Sequence, residues 1–162
     1  MSATHLARRF FGALDPRGAD PEAEAWARDH LLPGEAALWA RQSGPDRRHA
    51  VAVAREVVAA IGPRADRPVV AAALLHDVGK VEAGLGTLAR VPATLLGMLF
   101  GRERWGGRLG AYLRHDAVGA DLLRRAGAAP LTVAWAAEHH LPPERWTLPA
   151  EVAGALKAAD GD

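Results

Sequence analysis

The apolar and polar positions along the chain predict a series of short helices separated by turns. The central pattern is an unbroken apolar run over residues 69–75, which ends at the polar sequence His76-Asp77-Val78-Gly79-Lys80. Pro68 suits the first turn of a helix, where its missing N–H would be unpaired anyway, and Gly79 suits the left-handed conformation that ends a helix. A helix that is apolar on every side is typical of a buried one. The sequence therefore predicts a buried helix with polar groups at its C-terminal end.

Helical spacing continues on both sides of this run. We expect helices over residues 3–14, 21–32, 35–42 and 47–61 before it, and helices over 88–100, 130–140 and 149–160 after it. A further helical pattern, with Val118, Leu122 and Leu123, follows Asp116. Asp20 followed by Pro21 indicates an N-cap with proline in the first helical turn. No period-two strand pattern of useful length interrupts the series. The predicted fold is all-α, a compact single-domain helical bundle.

Composition narrows the class of protein. The 162 residues are 49% hydrophobic with a net charge of +1, which predicts one globular domain and disfavours a dedicated nucleic-acid surface. The absence of cysteine excludes disulfides, thiolate zinc sites and cysteine nucleophiles. No secretory signal is evident, and no apolar stretch reaches the roughly 20 residues that span a bilayer. We therefore expect a cytoplasmic chain with neither a membrane nor a nucleic-acid partner.

Most of the histidines share one feature, which is a position at or near the end of an apolar helix. Five of the seven have it: His49, His76, His115, His139 and His140. Asp77 and Asp160 occupy similar positions, whereas His5 and His30 do not and are expected at the surface. Asp116, in the second His-Asp pair, precedes a helical pattern and is expected to be its N-cap, which lets His115 point inward.

Polar groups buried at helix ends are costly unless a partner satisfies them. A metal ion pairs with neutral imidazoles and ionised carboxylates at once, so this convergence predicts a dinuclear metal site within the bundle. Nitrogen and oxygen ligands without thiolate suit Fe, Mn, Co or Ni and admit Zn, whereas the excess of imidazole disfavours Mg or Ca alone. One alternative stays open for the central pair: His76 as a core histidine bonded to a carbonyl, and Asp77 as a cap of the next turn.

The order of these residues resembles the HD-domain superfamily of metal-dependent phosphohydrolases. It runs His, His-Asp, His, His-His and Asp between Asp46 and Asp160. Residues 74–80 resemble the central signature of the family, and Lys157-Ala158-Ala159-Asp160 resembles its terminal ligand motif. The later histidines resemble the extra ligands of the branch that binds two or three metals. Residues 141–145 lack the Gly-Tyr-Pro element of the cyclic-di-GMP phosphodiesterases in that branch, so that activity is not expected.

The resemblance implies hydrolysis of a small phosphorylated substrate. It assigns the ligands to two sites: His49, His76 and Asp160 in the first, and His115, His139 and His140 in the second. Asp77 would bridge one or two divalent transition metal ions, and Lys80 would add positive charge near the phosphoryl group. Arg47, Arg48 or the basic segment 101–110 would hold the rest of the substrate, and that segment is either a lid or an ordinary loop.

The resemblance also implies how the chain is organised. We expect residues 1–44 to form an N-terminal helical extension packed on the core, and residues 45–162 to form the HD-type metal-binding domain of the same globular unit. Two other functions stay open, because a fold and a ligand set do not fix a reaction. One is a metal-bound regulatory or ligand-sensing module without turnover, and the other is a di-iron oxygenase.

Overall fold

The computed structural model describes residues 18–83 and 107–161. The predicted helices at 3–14 and 88–100, most of the basic segment 101–110, His5 and Asp162 lie outside these ranges. Within them the chain is helical and forms no strand, which confirms the all-α prediction. Among the helices of these ranges, none combines the length and apolar character that crossing a bilayer requires.

Nine α-helices follow one another in the described ranges. They are α1 (Pro21–Asp29), α2 (Pro33–Arg41), α3 (Gly44–Ile61), α4 (Arg67–Leu75), α5 (Lys80–Ala83), α6 (Gly107–Leu113), α7 (His115–Arg125), α8 (Pro130–Glu138) and α9 (Ala150–Asp160). Short 3-10 segments follow α3 at Gly62–Arg64 and α8 at Pro143–Arg145.

Local sequence explains why several of these helices begin and end where they do. The side chains of Asp20, Ser43 and Asp66 each accept a hydrogen bond from a backbone N–H in the first turn of α1, α3 and α4, and a proline lies in each of those turns. The N-cap predicted at Asp20 is thus confirmed. Gly161 ends α9 in the left-handed conformation, with φ of 72°.

Helix α4 is the centre of the bundle. Every residue from Val69 to Leu75 is buried, as its uninterrupted apolar sequence predicts. The helix packs against α3 on one side and α8 on another, while α9 packs on α3 and α7 packs on α8. This packing brings the first turns of α3 and α7 and the last turns of α4, α8 and α9 towards one region.

The two N-terminal helices of the described ranges contribute to the same core. Ala23, Ala27 and Trp39 are buried within it. The indole of Trp39 also donates a hydrogen bond to Glu24, at 3.0 Å. Residues before position 45 therefore pack on the helices that follow, and the division of the chain into 1–44 and 45–162 stays a prediction.

Two local predictions are wrong. Gly79 does not adopt a left-handed conformation, because the described glycines with positive φ are those at 62, 107, 127 and 161. Asp116 is not an N-cap, because α7 already begins at His115 and the Asp116 carboxylate accepts the N–H of Ala117 at 2.8 Å. The reason for the first error is a tertiary contact of Gly79 with α7, which is described below.

Candidate metal centre

The structure brings all seven predicted ligands together at the region where these helix ends meet. His49 lies in the first part of α3, His76 and Asp77 follow α4, His115 begins α7, His139 and His140 follow α8, and Asp160 ends α9. Their donor atoms form two groups of three, with Asp77 between them.

The first cluster consists of His49, His76 and Asp160, whose donor atoms all lie within 4.8 Å of one another. Asp160 Oδ1 is 3.1 Å from His49 Nε2 and 3.5 Å from His76 Nε2. The side chains of His76 and Asp160 are only 2% and 4% exposed, whereas that of His49 is 30% exposed. The first cluster is therefore buried on the α4 and α9 side and open on the α3 side.

The second cluster consists of His115, His139 and His140, again with donor atoms within 4.8 Å. The Nε2 atoms of His115 and His140 are 3.1 Å apart. The ring of His139 lies 5.7 Å from that of His115 and 3.9 Å from that of His140, measured between ring centroids. Three imidazoles from two helix ends thus face one small volume.

Asp77 directs one carboxylate oxygen towards each cluster. Its Oδ2 is 3.4 Å from His76 Nε2, in the first cluster. Its Oδ1 is 3.2 Å from His115 Nε2 and 3.9 Å from His139 Nε2, in the second cluster. A single carboxylate in this position can contact two cations at the same time.

The histidine rings are oriented so that one nitrogen of each faces the site. His76 Nδ1 donates to the Ala73 carbonyl oxygen at 2.9 Å, and His139 Nδ1 is 3.1 Å from that of Ala136. The opposite nitrogen of each ring, Nε2, is buried without a hydrogen-bond partner. A core role for His76 accounts for its carbonyl contact but not for this second nitrogen. A backbone hydrogen bond on one nitrogen, with the second nitrogen directed towards the site, is typical of metal-ligating histidines.

The two buried carboxylates of the site, Asp77 and Asp160, are ionised and are stabilised by nearby positive charge. Burial raises the pKa of Asp77, but Lys80 and His76 outweigh that effect and hold it well below its usual range. Burial lowers the pKa of His76, but Asp77 and Asp160 outweigh it and raise the pKa to about 10. Without a metal, a proton on His76 therefore supplies positive charge to two buried carboxylates, and a divalent ion can replace it.

His139 has the opposite protonation behaviour. Burial and the nearby charge of His76 lower its pKa to about 3, so the ring is neutral at pH 7. A neutral imidazole is the form that binds a metal, since the ligating nitrogen must not carry a proton. At neutral pH His139 therefore has the protonation state that metal binding requires.

The distances within the clusters also fit metal ligation. A transition metal holds nitrogen and oxygen ligands at about 2.0–2.2 Å, so adjacent ligands of one ion lie roughly 3–3.5 Å apart. The closest donor pairs of the two clusters, including Asp77, lie between 3.1 and 3.5 Å apart. The residues present therefore fit one or two divalent ions.

The predicted substrate residues have different surroundings. The ammonium of Lys80 pairs with Asp77 Oδ2, and its side chain is 19% exposed. Arg47 donates to Glu24 at 2.7 Å and to the Gln42 carbonyl at 2.6 Å, so it ties α3 to α1 and α2. Arg48 is half-buried directly before His49. His30, predicted outside the site, contacts the Trp26 carbonyl through Nδ1 at 2.8 Å.

Lys157, for which the sequence predicts no role, lies beside the second cluster. Its ammonium donates to the His139 carbonyl oxygen at 2.9 Å. The contact joins the helix that carries Asp160 to the end of the helix that precedes His139. The signal in the sequence was the spacing, because Lys157 lies three residues before Asp160 and hence on the same side of α9.

Comparison with known protein families agrees with this geometry. The family model for the HD domain matches residues 36–161, and the chain therefore belongs to the HD-domain family. Most members of this family are hydrolases, and HD domains bind divalent metals. No curated protein and no solved structure gives a significant match to the chain.

Proposed function

We propose that the chain is a metal-dependent phosphohydrolase that cleaves a phosphate ester with a metal-activated water. The observation that carries the proposal is the position of Asp77, with one oxygen 3.4 Å from His76 in the first cluster and the other 3.2 Å from His115 in the second. Two cations that share one carboxylate suit phosphate-ester hydrolysis, which requires both an activated water and charge neutralisation at phosphorus.

The metal would be held by the seven residues described above. When bound, a divalent metal lowers the pKa of its water to about 7 and neutralises phosphoryl oxygens. The ligand set contains five imidazoles and two carboxylates, so we propose Fe, Mn, Co, Ni or Zn as the metal. The hydrogen bonds of His76 and His139 to backbone carbonyls keep their rings oriented before any ion arrives, which limits the entropy lost on binding.

The exposed side of the site indicates where the substrate would approach. His49 and Lys80 are 30% and 19% exposed, whereas His139 is 1% exposed. A phosphate group entering on the α3 and α5 side would come close to the ammonium of Lys80. We propose that Lys80 stabilises negative charge on the phosphoryl oxygens. Arg48 lies directly before His49, and because of this position we propose it as the arginine that holds the rest of the substrate.

An assay of phosphate-ester hydrolysis, in which chromatography separates substrate from products, tests this proposal. The purified chain, loaded anaerobically with Fe(II), Mn(II), Co(II), Ni(II) or Zn(II), is offered phosphomonoesters, phosphodiesters and nucleotides. We expect at least one substrate to be hydrolysed, with activity lost on chelation and restored by metal. His76→Ala should hydrolyse no substrate above background, which rules out a contaminating phosphatase, whereas His30→Ala should match the parent because His30 lies outside the site.

The same experiment separates the other two functions. Nucleotides that raise the melting temperature without any hydrolysis of a phosphate ester, under every metal, would favour a regulatory or ligand-sensing module. An oxygen-dependent change in the optical spectrum of the iron-loaded protein, again without hydrolysis of any phosphate ester, would favour an oxygenase. Either result would contradict the phosphohydrolase proposal.

A further inference from the structure

Helix α7 contacts the turn that carries Asp77 through backbone atoms, without side chains between them. A Cβ atom built on Gly79 would lie 1.9 Å from the His115 carbonyl oxygen and 2.6 Å from the Gly119 nitrogen. Real Cβ atoms essentially never come within 3.0 Å of such atoms. Because the φ of Gly79 is not positive, the glycine is needed here for space and not for its backbone conformation.

The opposite side of this contact is also a glycine. A Cβ on Gly119 would lie 3.1 Å from the Gly79 nitrogen and 3.4 Å from Val78 Cγ1. Gly119 lies inside α7, where glycine weakens a helix relative to alanine. Two glycines that face each other at such positions indicate that the contact requires the two backbones to approach closely.

The contact lies one helical turn or less from a proposed metal ligand. His115 is the first residue of α7, and its Nε2 is 3.2 Å from Asp77 Oδ1 and 3.1 Å from His140 Nε2. Metal sites tolerate shifts of only about 0.2 Å in ligand distance. A shift of α7 by even half an ångström would therefore separate His115 from the other ligands of the second cluster.

We propose that Gly79 and Gly119 are positioning residues that act through His115, and that their contact assembles the second cluster against Asp77. The inference rests on the metal centre of the proposed function. The first cluster does not depend on this contact, because His49, His76 and Asp160 belong to α3, the end of α4 and α9, and α3 packs directly on both α4 and α9. A disturbance at Gly79 should therefore act selectively on the second metal ion.

The test compares metal binding by the parent chain, Gly79→Ala and Gly119→Ala. Circular dichroism first establishes that each of the three proteins is folded. We expect the parent to bind two Co(II) ions per chain. In Gly79→Ala the dissociation constant of the second ion should rise by at least about tenfold, which is the scale seen when an outer contact of a ligand is lost. The optical spectrum of the second ion should change as well. Gly119→Ala should give a smaller effect in the same direction, because its contacts start at 3.1 Å.

Two matched controls distinguish positioning from general destabilisation. Gly34→Ala creates a similar clash at the C-terminal end of α7, because the added Cβ would lie 2.2 Å from the carbonyl oxygen of Ala126. This clash is about 16 Å along the helix from His115. It should lower the melting temperature and leave both ions bound. Gly154→Ala, on the helix that carries Asp160, would meet nothing within 4 Å and should match the parent.

The outcomes that would overturn the inference are distinct from failure of the metal centre. Parent-like affinity and spectrum of the second ion in both Gly79→Ala and Gly119→Ala would overturn it, as would equal loss of that ion in Gly34→Ala. If Gly79→Ala does not fold, the milder Gly119→Ala decides by the same criterion. A parent chain that binds no metal would instead contradict the proposed function itself, and this inference with it.

Discussion

Replacing Asp77 with asparagine should empty both metal clusters and lower phosphate-ester hydrolysis by about a thousandfold or more. The carboxylate places Oδ2 beside His76 and Oδ1 beside His115, and it carries the charge that both clusters share. Asparagine keeps the shape but has one oxygen, so its NH₂ group would face one of the two sets of nitrogen donors. Loss of the metals removes several kcal/mol of transition-state stabilisation, and each 1.4 kcal/mol corresponds to a factor of ten.

The measurements are metal content per chain and kcat/KM on the best substrate. Asp121→Asn is the matched control, because Asp121 is an exposed carboxylate on α7 that pairs with Arg124 at the surface. It should keep the metal content and activity of the parent. An Asp77→Asn variant with two tightly bound ions would show that Asp77 does not bridge the clusters.

Replacing Asp160 with asparagine should weaken the first metal ion and leave the second in place. Burial raises the pKa of Asp160, but the hydrogen bond with His49 and the nearby positive charge of His76, 3.5 Å away, outweigh it and hold the pKa far below its usual range, so the buried group is ionised. The substitution removes this charge, so His49 and His76 face a neutral amide in place of the carboxylate. Loss of an outer contact of a ligand costs 10- to 100-fold in affinity, so we expect loss of a ligand to cost at least about a hundredfold.

Metal titration at neutral pH, with activity measured in parallel, checks this expectation. Glu151→Gln makes the same chemical change on the same helix, at an exposed carboxylate that pairs with Arg64 on the surface. It should bind both ions as the parent does. Unchanged affinity for the first ion in Asp160→Asn would remove this residue from the site, and with it the C-terminal ligand of the proposed centre.

The convergence of these histidines and aspartates was predictable because each of them lies near a helix end. Residues 69–75 are apolar on every side, so the helix had to be buried, and His76 and Asp77 had to lie at its inner end. Helical spacing likewise placed His139 and Asp160 on the inner faces of their helices, and both are buried. The grouping into two clusters came from the resemblance to the family, since spacing within one helix cannot say which helix ends meet.

The contacts that the sequence did not predict are those made between elements distant in the chain. Gly79 was interpreted as a helix end, because glycine most often serves that purpose, and its contact with Gly119 exists only once α7 packs against the turn. Asp116 has the sequence features of an N-cap, yet α7 begins one residue earlier. Lysine is most often a surface residue. The hydrogen bond of Lys157 to the His139 carbonyl depends on how α9 contacts the end of α8.

The most direct test of the account is the metal content of the purified chain, measured by elemental mass spectrometry against protein concentration. We predict between one and two transition-metal ions per chain as isolated, rising to two after anaerobic loading, because the described residues hold two clusters that share Asp77. Metal-free protein with an intact helical circular dichroism spectrum and no uptake of any of the five metals on titration would contradict the account.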